Sequence, residues 1–234
     1  MYLSEITDRI EREIPRVDFH IHTSWTDGAH GVGEMFEQAR RLNLEAVLFS
    51  EHARGTSIDW FREFAREVRA LPGEACSALV GVEAGVKDFN GNLSVGEDIT
   101  SLCDLVIGSV HRFPGKNGEP MSFDEVPPDK ALDMEFRLAE ALLDNPGIHI
   151  LGHPFGMCYA RFGLAPSVDM VVRLMEKAAG NNVAFEINSK YHPDPWAFIR
   201  LCKDVGARIS LGSDAHSRNE LGGIIQALER ERNK

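Results

Sequence analysis

The strongest constraint in this chain is a pattern rather than a motif. Seven short apolar runs are each followed by a stretch of a different periodicity, and each carries a histidine or an acid near its C-terminal end. The runs are "RVDFHIH" (16–22), "EAVLFSEH" (45–52), "ALVGVEAG" (78–85), "DLVIGSVH" (104–111), "IHILGHP" (148–154), "VAFEINS" (183–189) and "ARISLGSDAH" (207–216). Helix-like stretches separate them: "GEMFEQARRLN", "SIDWFREFAREVRAL" with Ser57 as its N-cap candidate, "DKALDMEFRLAEALLDN", "SVDMVVRLMEKAAGN" and "DPWAFIRLCKDVG". "RNELGGIIQALERER" follows the last run, and Leu3, Ile6, Ile10 and Ile14 predict an amphipathic helix that stops at Pro15. Strands alternating with helices read as a parallel α/β fold, and closure into a barrel is the leading version. The link between the third and fourth runs is the least helical; its "DFNGNL" predicts a hairpin. Residues 112–129 form the longest loop-like stretch, a length usually kept for function.

Strands of a parallel sheet should be apolar throughout, because helices cover both faces. Here His20 and His22, His52, Glu83, His111, His153, Glu186 with Asn188, and Asp214 with His216 break that rule at or near the strand ends. In barrel enzymes these ends form the active site, so the polar residues should converge on one mouth. Period-two alternation puts Asp18, His20 and His22 on one face of the first strand. An isolated H-x-H would carry little weight, but the agreement of the other strand ends changes that. Imidazole and carboxylate without sulfur suit divalent Zn, Mn, Fe or Ni. His20, His22, His52, His111, His153 and His216 with Asp27, Glu83 and Asp214 make nine donors. A tetrahedral catalytic zinc takes three protein ligands, so nine imply two ions at least and more naturally three.

The net charge is 25 − 36 = −11, which disfavours a broad nucleic-acid-binding face. Cys76, Cys103, Cys158 and Cys202 are widely spaced, with no C-x-x-C pair, and point to a reducing, cytoplasmic setting. The N-terminus is charged and does not read as a signal peptide. No stretch approaches the roughly 18 apolar residues of a membrane span, so no membrane partner is expected.

With these residues assembled, the chain resembles the polymerase and histidinol phosphatase (PHP) superfamily. The resemblance is carried by "DFHIHTSWTDG", "FSEH", "GVEAG", "GSVH", "GHP" and "GSDAH", between residues 18 and 216. It implies a distorted (β/α)7 TIM-like barrel, one domain over residues 1–234, with a trinuclear metal centre at the C-terminal strand ends and phosphoester hydrolysis as its activity. It also implies a division of ligands. His20 and His22 would hold one ion with Asp214 and a bridging Glu83; Glu83, His111 and His153 a second; Asp27, His52 and His216 the third. Two positions depart from the family pattern: Glu51 stands where Asp is usual, and Thr26 where Ser is common. Neither is a ligand, so the departures bear on how the ligands are held.

Adjacent divalent ions (Zn, Mn or Fe) suit a phosphoryl substrate, and a metal-bridging hydroxide is the expected nucleophile. Asp214, His216 and Glu83 are the catalytic candidates, with the proton for the leaving group coming from Asp214, from His216 or not being needed. Arg112, Arg161, Lys190 and Asn188 are the substrate-binding candidates, with a rim salt bridge as the alternative for Arg112. His192 in "KYHPDP" reads as an exposed loop histidine, His149 as structural, and His30 as without a role; Trp25 and Trp60 read as packing between helices. The expected function is hydrolysis of a small phosphomonoester, with histidinol phosphate as one candidate. The rivals are a 3'-5' exonuclease-like phosphodiesterase of the same superfamily, an amidohydrolase-type metallohydrolase, and a metal-dependent binding module. The sequence leaves the oligomeric state open.

Overall fold

The structure is a computed structural model and describes residues 2–115 and 119–232. Seven parallel strands follow one another in chain order around a nearly closed barrel: β1 (Val17–Ile21), β2 (Ala46–His52), β3 (Ser77–Gly85), β4 (Leu105–Ser109), β5 (Ile150–Leu151), β6 (Ala184–Asn188) and β7 (Arg208–Gly212). The helices are α1 (Tyr2–Arg9), α2 (Val32–Arg41), α3 (Ile58–Arg69), α4 (Glu97–Thr100), α5 (Pro128–Leu143), α6 (Gly156–Phe162), α7 (Val168–Gly180), α8 (Pro195–Val205) and α9 (Gly223–Arg232). This is the distorted (β/α)7 TIM-like barrel that the alternation and the resemblance predict.

Closure occurs at the C-terminal end of the barrel, where the chain beyond β7 meets β1. Ile21 pairs in parallel with Ala215; the His22 amide donates to Ala215 O (2.8 Å) and the Ala215 amide to His20 O (3.1 Å). Lower in the seam the Ile209 amide donates instead to Thr7 Oγ1 of α1 (2.9 Å), which satisfies a strand N–H that has no strand beside it. The predicted N-terminal helix ends at Arg9 rather than at Pro15, yet Ile6 and Ile10 are buried as its spacing requires.

The outer helices form for legible reasons. Phe61, Phe64, Ala65 and Val68 of α3 are buried at helical spacing. Asp194 caps α8 by accepting from the Ala197 amide (2.9 Å), Pro195 fits its first turn, and Gly206 ends it at φ +73. Ser57 stands at the start of α3 without capping it; its Oγ accepts from the Arg54 amide (3.0 Å). The link after β3 makes the expected small antiparallel turn, with Val86 bridged to Leu93, Gly91 at φ +77, and α4 following. Of the long loop at 112–129, residues 116–118 lie outside the described residues, Phe123–Glu125 form a 3-10 turn, and α5 begins at Pro128. β5 is much shorter than its predicted run, because the backbone leaves the sheet at His153, whose φ is +24. Among the described residues no helix is long and apolar enough to cross a membrane, and all four cysteines are free.

Candidate metal centre

All nine residues expected to donate to metal converge on the C-terminal end of the barrel. They fall into four overlapping groups whose donor atoms lie within 4.8 Å of one another: His22, Asp27, His52 and His216; His20, His22 and Asp214; His20, Glu83 and His153; His52, Glu83 and His111. Glu83 is the hub. Its Oε1 lies 2.9 Å from His111 Nε2 and 2.8 Å from His153 Nε2; its Oε2 lies 3.1 Å from His52 Nδ1, 3.3 Å from His20 Nε2 and 3.5 Å from His22 Nε2. Asp214 Oδ1 lies 3.2 Å from His22 Nε2, while Asp27 Oδ2 lies 3.5 Å from His52 Nε2 and 3.4 Å from His216 Nε2.

Different elements deliver these groups. His20 is carried by β1, His52 by β2 and Glu83 by β3; His22, His111, His153, Asp214 and His216 come just after strands. Asp27 is returned to the cluster by a tight turn in which the Gly28 amide donates to Thr23 O (2.9 Å). A Cβ on Gly28 would come within 2.6 Å of His22 O, so this turn requires glycine. Buried Glu51 braces the turn, accepting from the Thr23 amide (2.7 Å) and from Thr26 Oγ1. The two departures from the family pattern, Glu51 and Thr26, are therefore hydrogen-bond partners. Asp18, below the site, accepts from the Ser213 and Gly222 amides (2.9 and 2.8 Å) and fixes the turn that presents Asp214. Asp214 has φ +50; its carbonyl accepts from Lys190 Nζ and its Oδ2 from the Tyr191 hydroxyl (3.0 Å).

The electrostatics follow from crowding these charges out of water. Burial opposes the charge on Glu83, but His111 and His20 overcome it and hold the carboxyl well below its usual range. Burial likewise opposes Asp214, which His22 and His20 nevertheless hold low. Burial pushes His22 down to about 4, whereas Glu186 and Glu83 raise His20 well above its ordinary value in spite of burial. Glu51 is pushed up to about 7 and Asp18 to about 6, both by burial.

The donors fit divalent ions on an observation independent of residue type. His20 Nε2 and both ring nitrogens of His22 are buried without a hydrogen-bond partner among the described residues. A buried polar atom left unpaired is costly, and a cation shared with Glu83 and Asp214 would satisfy His20 Nε2 and His22 Nε2, the two of these nitrogens that face those carboxylates.

The substrate-binding candidates are placed less uniformly. The Arg112 and Arg161 guanidiniums both lie over the Phe123 ring, 4.5 and 5.0 Å from its centroid. Among the described residues neither guanidinium makes an ion pair. Lys190 is turned onto Asp214. Asn188 is buried and committed within the fold, its Nδ2 donating to Glu186 Oε1 (2.9 Å) and its Oδ1 accepting from the Lys190 amide (2.9 Å). His192 corrects the sequence reading outright, for it is buried rather than exposed. Its Nδ1 accepts from the Asn188 amide (3.0 Å) and its Nε2–H donates to Pro154 O (3.2 Å). His149 is structural, accepting from the Val106 amide (3.1 Å), and Trp25 stacks on Trp60 at 6.0 Å. Glu186 is the acid that the sequence places near the mouth without assigning it a role. It offered the signal of an acid inside a buried strand, and it accepts from His20 Nδ1 (2.9 Å).

Comparison with known proteins follows the same outline. The PHP domain family model matches residues 18–190. A probable phosphatase of Caldicellulosiruptor bescii is 25% identical over 210 residues, covering 88% of this chain and 82% of that one. The DNA polymerase/3'-5' exonuclease PolX of Bacillus subtilis is 26% identical over 225 residues, or 92% of this chain but 36% of that protein. The crystal structure of histidinol phosphate phosphatase from Lactococcus lactis, complexed with zinc, L-histidinol and phosphate, has the same fold: TM-score 0.68 at 16% identity, covering 93% of each chain.

Proposed function

Because the chain belongs to the PHP domain family, we propose that it is a metal-dependent phosphatase acting on a small phosphomonoester, with histidinol phosphate the first candidate. One observation carries the reading: nine imidazole and carboxylate donors meet at the barrel mouth, with buried imidazole nitrogens that have no hydrogen-bond partner among the described residues. In this reading His20, His22 and Asp214 with Glu83 hold one ion, Glu83, His111 and His153 a second, and Asp27, His52 and His216 a third, the ions being Zn, Mn or Fe. Bound there, divalent ions supply a nucleophile from water and neutralise charge on the phosphoryl oxygens.

The chain's own residues do the rest. Glu83 and Asp214, deprotonated among imidazoles, keep the donors converged. His216 donates its Nδ1–H to Asp214 O (2.9 Å), because a carbonyl can only accept, and so turns Nε2 toward Asp27 in the outer group. Arg112 and Arg161, both held against Phe123, are the cations we assign to the substrate phosphate. The net charge of −11 favours a small ester over a nucleic-acid strand, although the likeness to PolX makes exonuclease action the natural rival.

The deciding experiment pairs metal analysis of the purified protein with turnover of a phosphomonoester panel, single-stranded DNA, and a set of lactones and amides. Two to three ions per chain and selective phosphomonoester turnover are expected. No more than one ion per chain would break the trinuclear reading, and preferential hydrolysis of DNA would replace the phosphatase by the exonuclease.

A further inference from the structure

Glu186 belongs to none of the four donor groups, yet it touches two of them. It is fully enclosed on β6. Its Oε1 accepts from His20 Nδ1 (2.9 Å) and Asn188 Nδ2 (2.9 Å), and its Oε2 accepts from the His153 amide. An ionised carboxylate has no proton to give, so the hydrogen between Glu186 and His20 must sit on Nδ1. That fixes the imidazole as the Nδ1–H tautomer and aims the Nε2 lone pair at the space between Glu83 (3.3 Å) and Asp214 (3.7 Å).

The second contact acts on backbone. His153 has φ +24, and Phe155 two residues on has φ +66, so this segment holds two residues with side chains in a region that favours glycine. Such a conformation persists only when its surroundings over-determine it. Here the His153 amide is held by Glu186, and the next carbonyl, Pro154 O, by His192. Both holders are tied to Asn188, which donates its side chain to Glu186 and its backbone amide to His192. The neighbouring strand leaves room for this arrangement. Gly212 is paired with Asn188, and a Cβ on it would overlap Glu186 Oε1 and come within 2.8 Å of His20 Cβ.

We propose that Glu186 is the positioning residue of the buried half of the metal centre, setting the tautomer of His20 and the backbone of His153 together while contacting neither substrate nor metal. This inference rests on the metal-dependent reading above. It assigns to Glu186 the part that a carboxylate bonded behind a metal-binding histidine plays in tuning affinity.

The test compares the full-length wild type with Glu186→Gln and Asn188→Ala. Affinities for Mn and Zn are measured by competition with a chelator, and the His20 tautomer by ring ¹⁵N NMR in the metal-free protein at a pH high enough to leave that ring neutral. Gln keeps the volume but can donate as well as accept, so His20 is released from a single tautomer. Glu186→Gln should weaken the tightest ions about 10- to 100-fold, and lower kcat more than it changes KM. It should also populate the Nε2–H tautomer of His20. Wild-type affinity together with a retained Nδ1–H tautomer in a folded Glu186→Gln protein overturns the proposal. If that variant does not fold, Asn188→Ala decides. It keeps the carboxylate and removes one donor to it, so it should weaken metal binding by a smaller factor, and unchanged affinity overturns the proposal. A wild type that binds no metal defeats the functional reading instead, while the tautomer measurement still tests the positioning.

Discussion

His20 and Asp27 belong to one cluster and stand seven residues apart, yet the first is fully buried in β1 and the second is 54% exposed in the turn beyond it. The contrast extends to their neighbours. His22, Glu83, His153 and Asp214 make a buried floor, whereas His52, His111 and His216 join Asp27 in a half-exposed rim. On the floor there is little water to screen a charge, so each charged group must have a fixed partner, and the pKa values of adjacent imidazoles are driven in opposite directions. At the rim water and salt screen the same interactions, and side chains can adjust to what arrives. The floor is thus suited to binding ions at fixed positions and the rim to admitting substrate.

The most severe way to break this division is Glu83→Ala, because Glu83 joins five histidines across both tiers, with His20, His22 and His153 on one side and His52 and His111 on the other. Phosphatase turnover should fall by well over about 100-fold, beyond the loss typical of residues that only support a ligand. Metal content measured on the same sample should drop by more than one ion per chain. Loss of a single ion would mean that the tiers are independent.

Gly212→Ala attacks the floor alone. The added methyl would overlap Glu186 and crowd His20, and overpacking of this kind costs about 1–3 kcal/mol. Urea unfolding of the metal-free protein should show that loss, with weakened metal binding in parallel. Wild-type stability would mean that the floor can yield, against its rigidity as described above.

Asp27→Asn should be the mildest. It removes one charge from the rim, which His52 and His216 face at 3.5 and 3.4 Å. We expect about tenfold weaker binding of the most weakly held ion, with the tighter ones unchanged in the same titration. Equal weakening of all ions would erase the distinction between floor and rim.

Much of this was legible in the residues themselves. The alternation of apolar runs and helical stretches is a local property, and so the order of β1–β7 and the helices between them follows from it. A histidine or acid in or just after a strand that should be apolar throughout has few uses other than a site at the barrel mouth, which makes the convergence of eight of the nine clustered residues legible in the sequence; Asp27, in the turn beyond β1, breaks no such rule. The residues that hold those donors could not be named in this way. Nothing local distinguishes Lys190, turned back onto Asp214, from a lysine reaching for a phosphate, or His192, enclosed beneath Pro154, from a histidine on a surface loop.

By itself, then, the sequence determined which elements form and which residue types arrive at the strand ends, because periodicity and residue chemistry act over a few residues. Only the tertiary structure decided the pairings: Glu186 with His20 across 166 positions, Glu51 with Thr26, Asp18 with the turn at Ser213. Those depend on barrel closure, which sets ångström distances between strands that the chain order leaves free, and a hydrogen bond is made or lost over distances of that size.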